Sequence, residues 1–220
     1  MPSWIERAAF HWGRVISAYG KYIVKTGDVT WGGLENIPGE ATIWYAWHGT
    51  NLIALALHHT ISPRPKQALI PPGIVGIAMS GWLEGAGFIP LLLPKAGMGN
   101  PSAALKAMIR GLSQDGDVVI AVDGPYGPVG RVRPGTFWLG KMTGRPLVAV
   151  GFAARAAFRV PRWDRHLVPL PGARIAGVLG KPIRIARDQQ IDQPFLDSIK
   201  LHLDEVTRRA REILKHRLKE

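Results

Sequence analysis

The stretch Val118-Val119-Ile120-Ala121-Val122-Asp123-Gly124-Pro125-Tyr126-Gly127-Pro128 reads as a buried apolar strand that ends in a carboxylate and then a glycine/proline loop. Similar short apolar runs recur on either side, at 41–47, 67–71, 88–93, 147–153 and 173–179. Between them lie helical stretches near 51–59, 74–86, 102–113 and 136–143. This alternation predicts an α/β fold, with a mostly parallel central sheet covered by helices. The 102–113 helix has a clear start: Asn100 is a suitable cap and Pro101 suits the first helical position, while Gly111 weakens its far end. A last helix is expected over 194–218, with Phe195, Leu196, Ile199, Leu203, Val206, Ala210, Ile213 and Leu214 on one side.

The chain has 220 residues, 46% of them hydrophobic, enough to bury a core and sized for one domain. The organisation expected is an N-terminal helix over 1–25 and a single α/β domain over 26–220 that includes the last helix. Lys and Arg number 28 against 16 Asp and Glu, and the net charge of +12 points to an anionic partner or surface. With no cysteine, disulfides, thiolate metal sites and cysteine nucleophiles are excluded. His58 and His59 are adjacent and lack a carboxylate at metal-ligand spacing, so no metal is assigned. Arginines from Arg155 to Arg165 alternate with Phe158 and Trp163, but no helix-turn-helix, finger or RNA-recognition signature accompanies them, which argues against nucleic acid.

The N-terminal segment places Trp4, Ile5, Ala8, Ala9, Trp12, Val15, Ile16, Tyr19, Tyr22 and Ile23 on a helical stripe, with Ser3 and Glu6 spaced as a capping box. Arg7, Arg14, Lys21 and Lys25 fall mostly off the stripe. Two readings stay open: a helix packed on the core, or one lying in a membrane interface with its tryptophans at headgroup depth. No apolar run reaches the ~18–20 residues that cross a bilayer, and the first residues lack a secretory plan. The location expected is cytoplasmic, peripheral on the inner face of the cell membrane.

Two strand ends carry the residues for chemistry. Tyr45-Ala46-Trp47-His48-Gly49-Thr50-Asn51 delivers a histidine to a turn that opens a helix, and Asp123-Gly124 ends the other strand. In open α/β sheets, ligands bind at the carboxyl ends of strands. His48 and Asp123 are the catalytic candidates. Either residue taken singly is equally well explained by an ordinary turn.

The ordered set Trp47-His48-Gly49, Glu84 with Gly87-Phe88, Asp123-Gly124-Pro125 with Gly127-Pro128, Arg133-Pro134-Gly135, Gly144 with Pro146-Leu147-Val148, and Trp163-Asp164-Arg165 with Leu167 and Pro169-Leu170-Pro171 resembles a known family. These are the bacterial lysophospholipid acyltransferase-like proteins of the glycerolipid acyltransferase superfamily, in the branch catalogued as domain of unknown function three-seven-four. The resemblance spans roughly 43–182. It implies that His48 takes the proton from a lipid hydroxyl, which attacks an acyl thioester, with acyl-CoA or acyl carrier protein as co-substrate and no resident cofactor. In the wider superfamily an acid five residues on orients that histidine. Here Ile53 stands at that position, leaving Asn51 or Asp123 to do so.

The resemblance also places the Asp123-Gly124-Pro125 turn at the substrate, and backbone donors near Gly124 are the candidates for stabilising the oxyanion. Tyr126 stands where relatives often carry a basic residue. The start of the Ser102 helix with Asn100 and Lys95, and the loop arginines Arg131 and Arg133, are the candidates for holding phosphate. The activity implied is acyl transfer to a lysophospholipid or related lipid at an anionic membrane surface. The alternative is a lipid-binding member of the fold without transfer.

Overall fold

Along the central strands successive side chains alternate between two buried faces, so these segments are apolar throughout. In the computed structural model, which describes residues 1–93, 102–124 and 126–216, they form one seven-stranded sheet. The strands are β1 (Asp28–Gly32), β2 (Ile43–Ala46), β3 (Lys66–Ile70), β4 (Phe88–Leu92), β5 (Asp117–Ala121), β6 (Leu147–Arg159) and β7 (Leu167–Leu179). Their spatial order is β1-β7-β6-β2-β5-β3-β4. Every neighbouring pair is parallel except β6 and β7, which form an antiparallel ribbon. The mostly parallel α/β fold expected from the sequence is therefore the fold observed.

The helices are α1 (Trp4–Thr26), α2 (Asn51–Leu57), α3 (Ile74–Gly85), α4 (Ser102–Ser113), α5 (Gly135–Thr143) and α6 (Gln193–His216). Ile43 and Tyr45 of β2 and Leu147 and Ala149 of β6 pack with α4, α5 and α6. Trp44 and Ala46, with Val148, Val150 and Phe152, face the other way onto Ile53, Ala54 and Leu57 of α2. Burial on both faces is what a parallel sheet between two helical layers requires. Ile53, where the superfamily acid would stand, is fully buried here.

The N-terminal stripe is divided by the structure. The predicted capping box forms: the Ser3 N–H donates to Glu6 Oε2 at 2.6 Å and the Glu6 N–H to Ser3 Oγ at 3.2 Å. The buried edge of α1 is Gly13, Ser17, Gly20 and Ile23, mostly small residues. A Cβ on Gly13 would lie 1.8 Å from the Ala78 carbonyl oxygen, and one on Gly81 would lie 2.0 Å from that of Phe10, so α1 and α3 cross with their backbones in contact. Ile16 and Tyr19 are half-buried, while Trp4, Ile5, Trp12, Val15 and Tyr22 are exposed. No helix among the described residues is long and apolar enough to cross a membrane.

Two features depart from the strands read in the sequence. β1 pairs in parallel with β7 at the sheet edge, through a five-residue segment only partly buried and so without a full apolar run. β6 and β7 also run on well past 153 and begin well before 173. Their outer part is a ribbon whose residues, Ala154 to Arg159, are largely exposed and carry no buried stripe. A bulge between Arg155 and Ala157, with Ala156 at φ 58°, bends it.

Beneath the sheet, His58 is buried with its Nε2 3.5 Å from Asp117 Oδ2. Burial holds the His58 imidazole below its ordinary range, against the pull of Asp117, and burial does the same to His166 and His202. In the unfolded chain these imidazoles bind protons at higher pH than in the fold. Their contribution to stability is therefore whole above the ordinary histidine range and declines as pH falls through about 6.5. The melting temperature is expected to be lower at pH 5 than at pH 7, and a His58→Gln variant that folds should show a shallower decline.

Candidate active site

The register of the sheet brings the two candidate loops together. Ala46 of β2 pairs with Ala121 of β5, and two residues beyond each stand His48 and Asp123. Asp123 is fully buried, and its Oδ1 accepts the backbone N–H of His48 at 2.8 Å. This carboxylate holds the turn that carries the histidine and does not touch the imidazole. The expectation that Asp123 or Asn51 orients the ring is thus corrected: among the described residues, the ring's hydrogen-bonding partner is Asp164.

Asp164 reaches His48 from the far end of the β6–β7 ribbon. His48 Nδ1 lies 2.8 Å from Asp164 Oδ2, and the Asp164 side chain is fully shielded from solvent. The approach depends on Gly49, because a Cβ there would sit 2.3 Å from the Asp164 carbonyl oxygen. Trp163 covers the imidazole at a ring separation of 5.0 Å and packs against Gly127. Burial by itself would raise the Asp164 carboxyl, but the hydrogen bond from His48 and the charge and hydrogen bond of His166 hold it below the ordinary carboxylate range. An ionised carboxylate only accepts, so the neutral His48 imidazole places its proton on Nδ1 and its lone pair on Nε2. Asp123 behaves oppositely: burial raises its carboxyl against the hydrogen bond from His48 and others.

His48 also lines a cavity of about 590 Å³. Its walls are apolar, with Leu55, Met79, Leu83, Leu105, Met108 and Val119 among them, and Asn51, Gly124, Tyr126, Arg133 and Thr136 supply the polar margin. Four of the sequence candidates, His48, Gly124, Tyr126 and Arg133, therefore share one cavity. The Arg133 side chain donates to the Gly127 carbonyl, which fixes it over the loop. Arg131 is exposed and is not among the lining residues. The Gly124 N–H donates to the Ala121 carbonyl at 3.2 Å, so it is already engaged and is not a ready oxyanion donor. Ser102 opens α4, and Lys95, Asn100, Pro101 and Pro125 lie outside the described residues, as do residues 217 and 218 at the end of the last helix.

His48, Asp164 and His166 each bring one ligating atom within 4.8 Å of the others. His166 Nδ1 is 3.3 Å from the same Asp164 oxygen that His48 contacts. Two hydrogen bonds to one carboxylate account for this grouping, since both contacts lie at hydrogen-bond distances. Sequence reading missed both roles. Asp164 stands in the Trp163-Asp164-Arg165 motif, but 116 residues of chain separate it from His48.

No family model matches the chain. The fold is similar to that in the crystal structure of the 1-acyl-sn-glycerophosphate acyltransferase PlsC of Thermotoga maritima, with a TM-score of 0.55. That similarity covers 94% of this chain and 82% of the other at 18% identity. In sequence, the chain is 27% identical over 150 residues to an uncharacterized protein of Rickettsia prowazekii (strain Madrid E), across 68% of this chain and 67% of that protein.

Proposed function

We propose that the protein is a peripheral membrane acyltransferase that moves an acyl chain from a thioester donor, acyl-CoA or acyl carrier protein, to a hydroxyl of a lysophospholipid or related lipid. The observation that carries this reading is the His48–Asp164 hydrogen bond at the margin of an apolar cavity. His48 Nε2 accepts the hydroxyl proton as the lipid oxygen bonds to the thioester carbonyl carbon. The tetrahedral intermediate then collapses with cleavage of the carbon–sulfur bond, and the imidazolium returns the proton to the leaving sulfur. Asp164 stabilises the imidazolium between these steps. The apolar walls accommodate an acyl chain, and Arg133, with the N-terminal end of α5 at Gly135 and Thr136, faces the same cavity with positive charge suited to a phosphate.

A lipid binder without transfer is favoured by the missing acid at Ile53 and by Tyr126 in place of a basic residue; Asp164, on a different element, supplies a carboxylate to His48 and supports the transferase reading over it. The test is to incubate purified protein with a labelled acyl thioester and vesicles containing a lysophospholipid. Labelled diacyl product is expected. Vesicle binding with no product under any donor would reject the transferase reading.

Membrane association rests on α1. Its outer face presents Trp4 at 71% and Trp12 at 62% exposure, and Arg7, Arg14, Lys21 and Lys25 sit at seven- and four-residue spacing along one flank. Such a face suits an anionic interface. Because α1 packs closely on α3, deleting it would uncover the domain, so the informative change is Trp4→Glu with Trp12→Glu. Losing each tryptophan that would insert into the interface should cost about 10-fold in vesicle affinity. Co-sedimentation measures this, with the melting temperature expected to stay at the wild-type value.

A further inference from the structure

The Asp164 carboxylate is buried, yet it has few groups to hold its rotation. Among the described residues its Oδ1 has no hydrogen-bonding partner, and the guanidinium nearest to it, Arg162 Nε, is 3.9 Å away. Its Oδ2 is reached by two imidazoles, His48 Nδ1 at 2.8 Å and His166 Nδ1 at 3.3 Å. A buried carboxylate with one oxygen unsatisfied is costly, and its orientation depends on the bonds that remain.

We propose that His166 is a positioning residue: its Nδ1–H donates to Asp164 Oδ2 and keeps that oxygen turned toward His48, so that the proton on His48 stays at Nδ1 and Nε2 faces the cavity as the base. This rests on the acyltransferase reading for its kinetic consequence. His166 is itself held in place, half-buried, with its ring edge-on to Trp82 of α3 at 6.1 Å and to His48 at 6.4 Å. Burial keeps its imidazole below the ordinary range, against the pull of Asp164, so it is neutral near neutral pH and has a single N–H to give. The acceptor carries no proton, which assigns that N–H to Nδ1. The ionisable groups facing the pair are Asp164, Arg162, and Asp123 beneath the His48 turn.

His166→Phe keeps an aromatic ring against Trp82 but removes the donor, and His166→Asn restores an N–H near the position of Nδ1. Loss of one charge-assisted hydrogen bond should lower kcat about 10-fold in His166→Phe, with KM for donor and acceptor little changed. Most of the rate should return in His166→Asn. Independently of turnover, ¹⁵N-labelled imidazole shifts should show His48 protonated at Nδ1 in the wild type and His166→Asn, and a mixture of tautomers in His166→Phe. The seven histidines are few enough to assign by single substitution. If the wild type transfers nothing but the tautomer still shifts in His166→Phe, the transferase reading fails and the positioning role stands. An unchanged kcat in a transferring enzyme, or an unchanged His48 tautomer in His166→Phe, overturns the proposal.

Discussion

His48→Ala is expected to lose roughly 10²- to 10⁴-fold in transfer rate, the contribution of a positioned general base, while vesicle binding is retained. A lipid hydroxyl is a poor nucleophile near neutral pH, and His48 is the imidazole that lines the cavity. The substitution removes the ring but leaves the backbone N–H that Asp123 accepts, so the turn after β2 keeps its anchor. Steady-state transfer with a labelled thioester, beside a thermal melt, is the measurement. A rate equal to wild type in a folded variant would remove His48 from the chemistry.

Asp164→Asn is expected to cost on the order of 10²-fold, because an amide facing His48 no longer enforces the proton on Nδ1 and no longer balances the imidazolium. The loss should fall on kcat, since Asp164 is not among the residues lining the cavity. The double variant His48→Ala with Asp164→Asn should be no slower than His48→Ala alone, as groups that act as one unit are not additive. Asp123→Asn is the contrasting control: its side-chain carbonyl still accepts the His48 N–H, and its effect should be much smaller. If Asp123→Asn proved as damaging as Asp164→Asn, the assignment of the acid to Asp164 would be wrong.

The same pair also has a pH signature. The Asp164 carboxyl lies below its ordinary range in the fold, so the stability it adds is whole above the ordinary carboxylate range and is lost as pH falls through the folded value. That loss lies at lower pH than the decline caused by the buried histidines, and the two are separable in a melting series.

The local patterns in the chain were enough to establish the layered α/β fold. Runs such as Val118-Val119-Ile120-Ala121-Val122 contain no polar residue, and a sheet covered on both sides accommodates several of them. The capping box at Ser3 and Glu6, and the emergence of His48 and Asp123 at strand ends, are likewise local and legible. The sequence could not say which face of α1 packs, because the tryptophans and tyrosines suggest a core stripe whereas Gly13, Ser17 and Gly20 make the contact. Close backbone crossing favours residues with the least side chain, which a hydrophobic pattern does not register. Nor could it reveal the partner of His48. Asp164 is brought there by an antiparallel ribbon that continues past the sheet, bends at Ala156 and meets the histidine only because Gly49 leaves room. A hydrogen bond across 116 residues depends on strand register and ribbon curvature, and these exist only once the chain has folded.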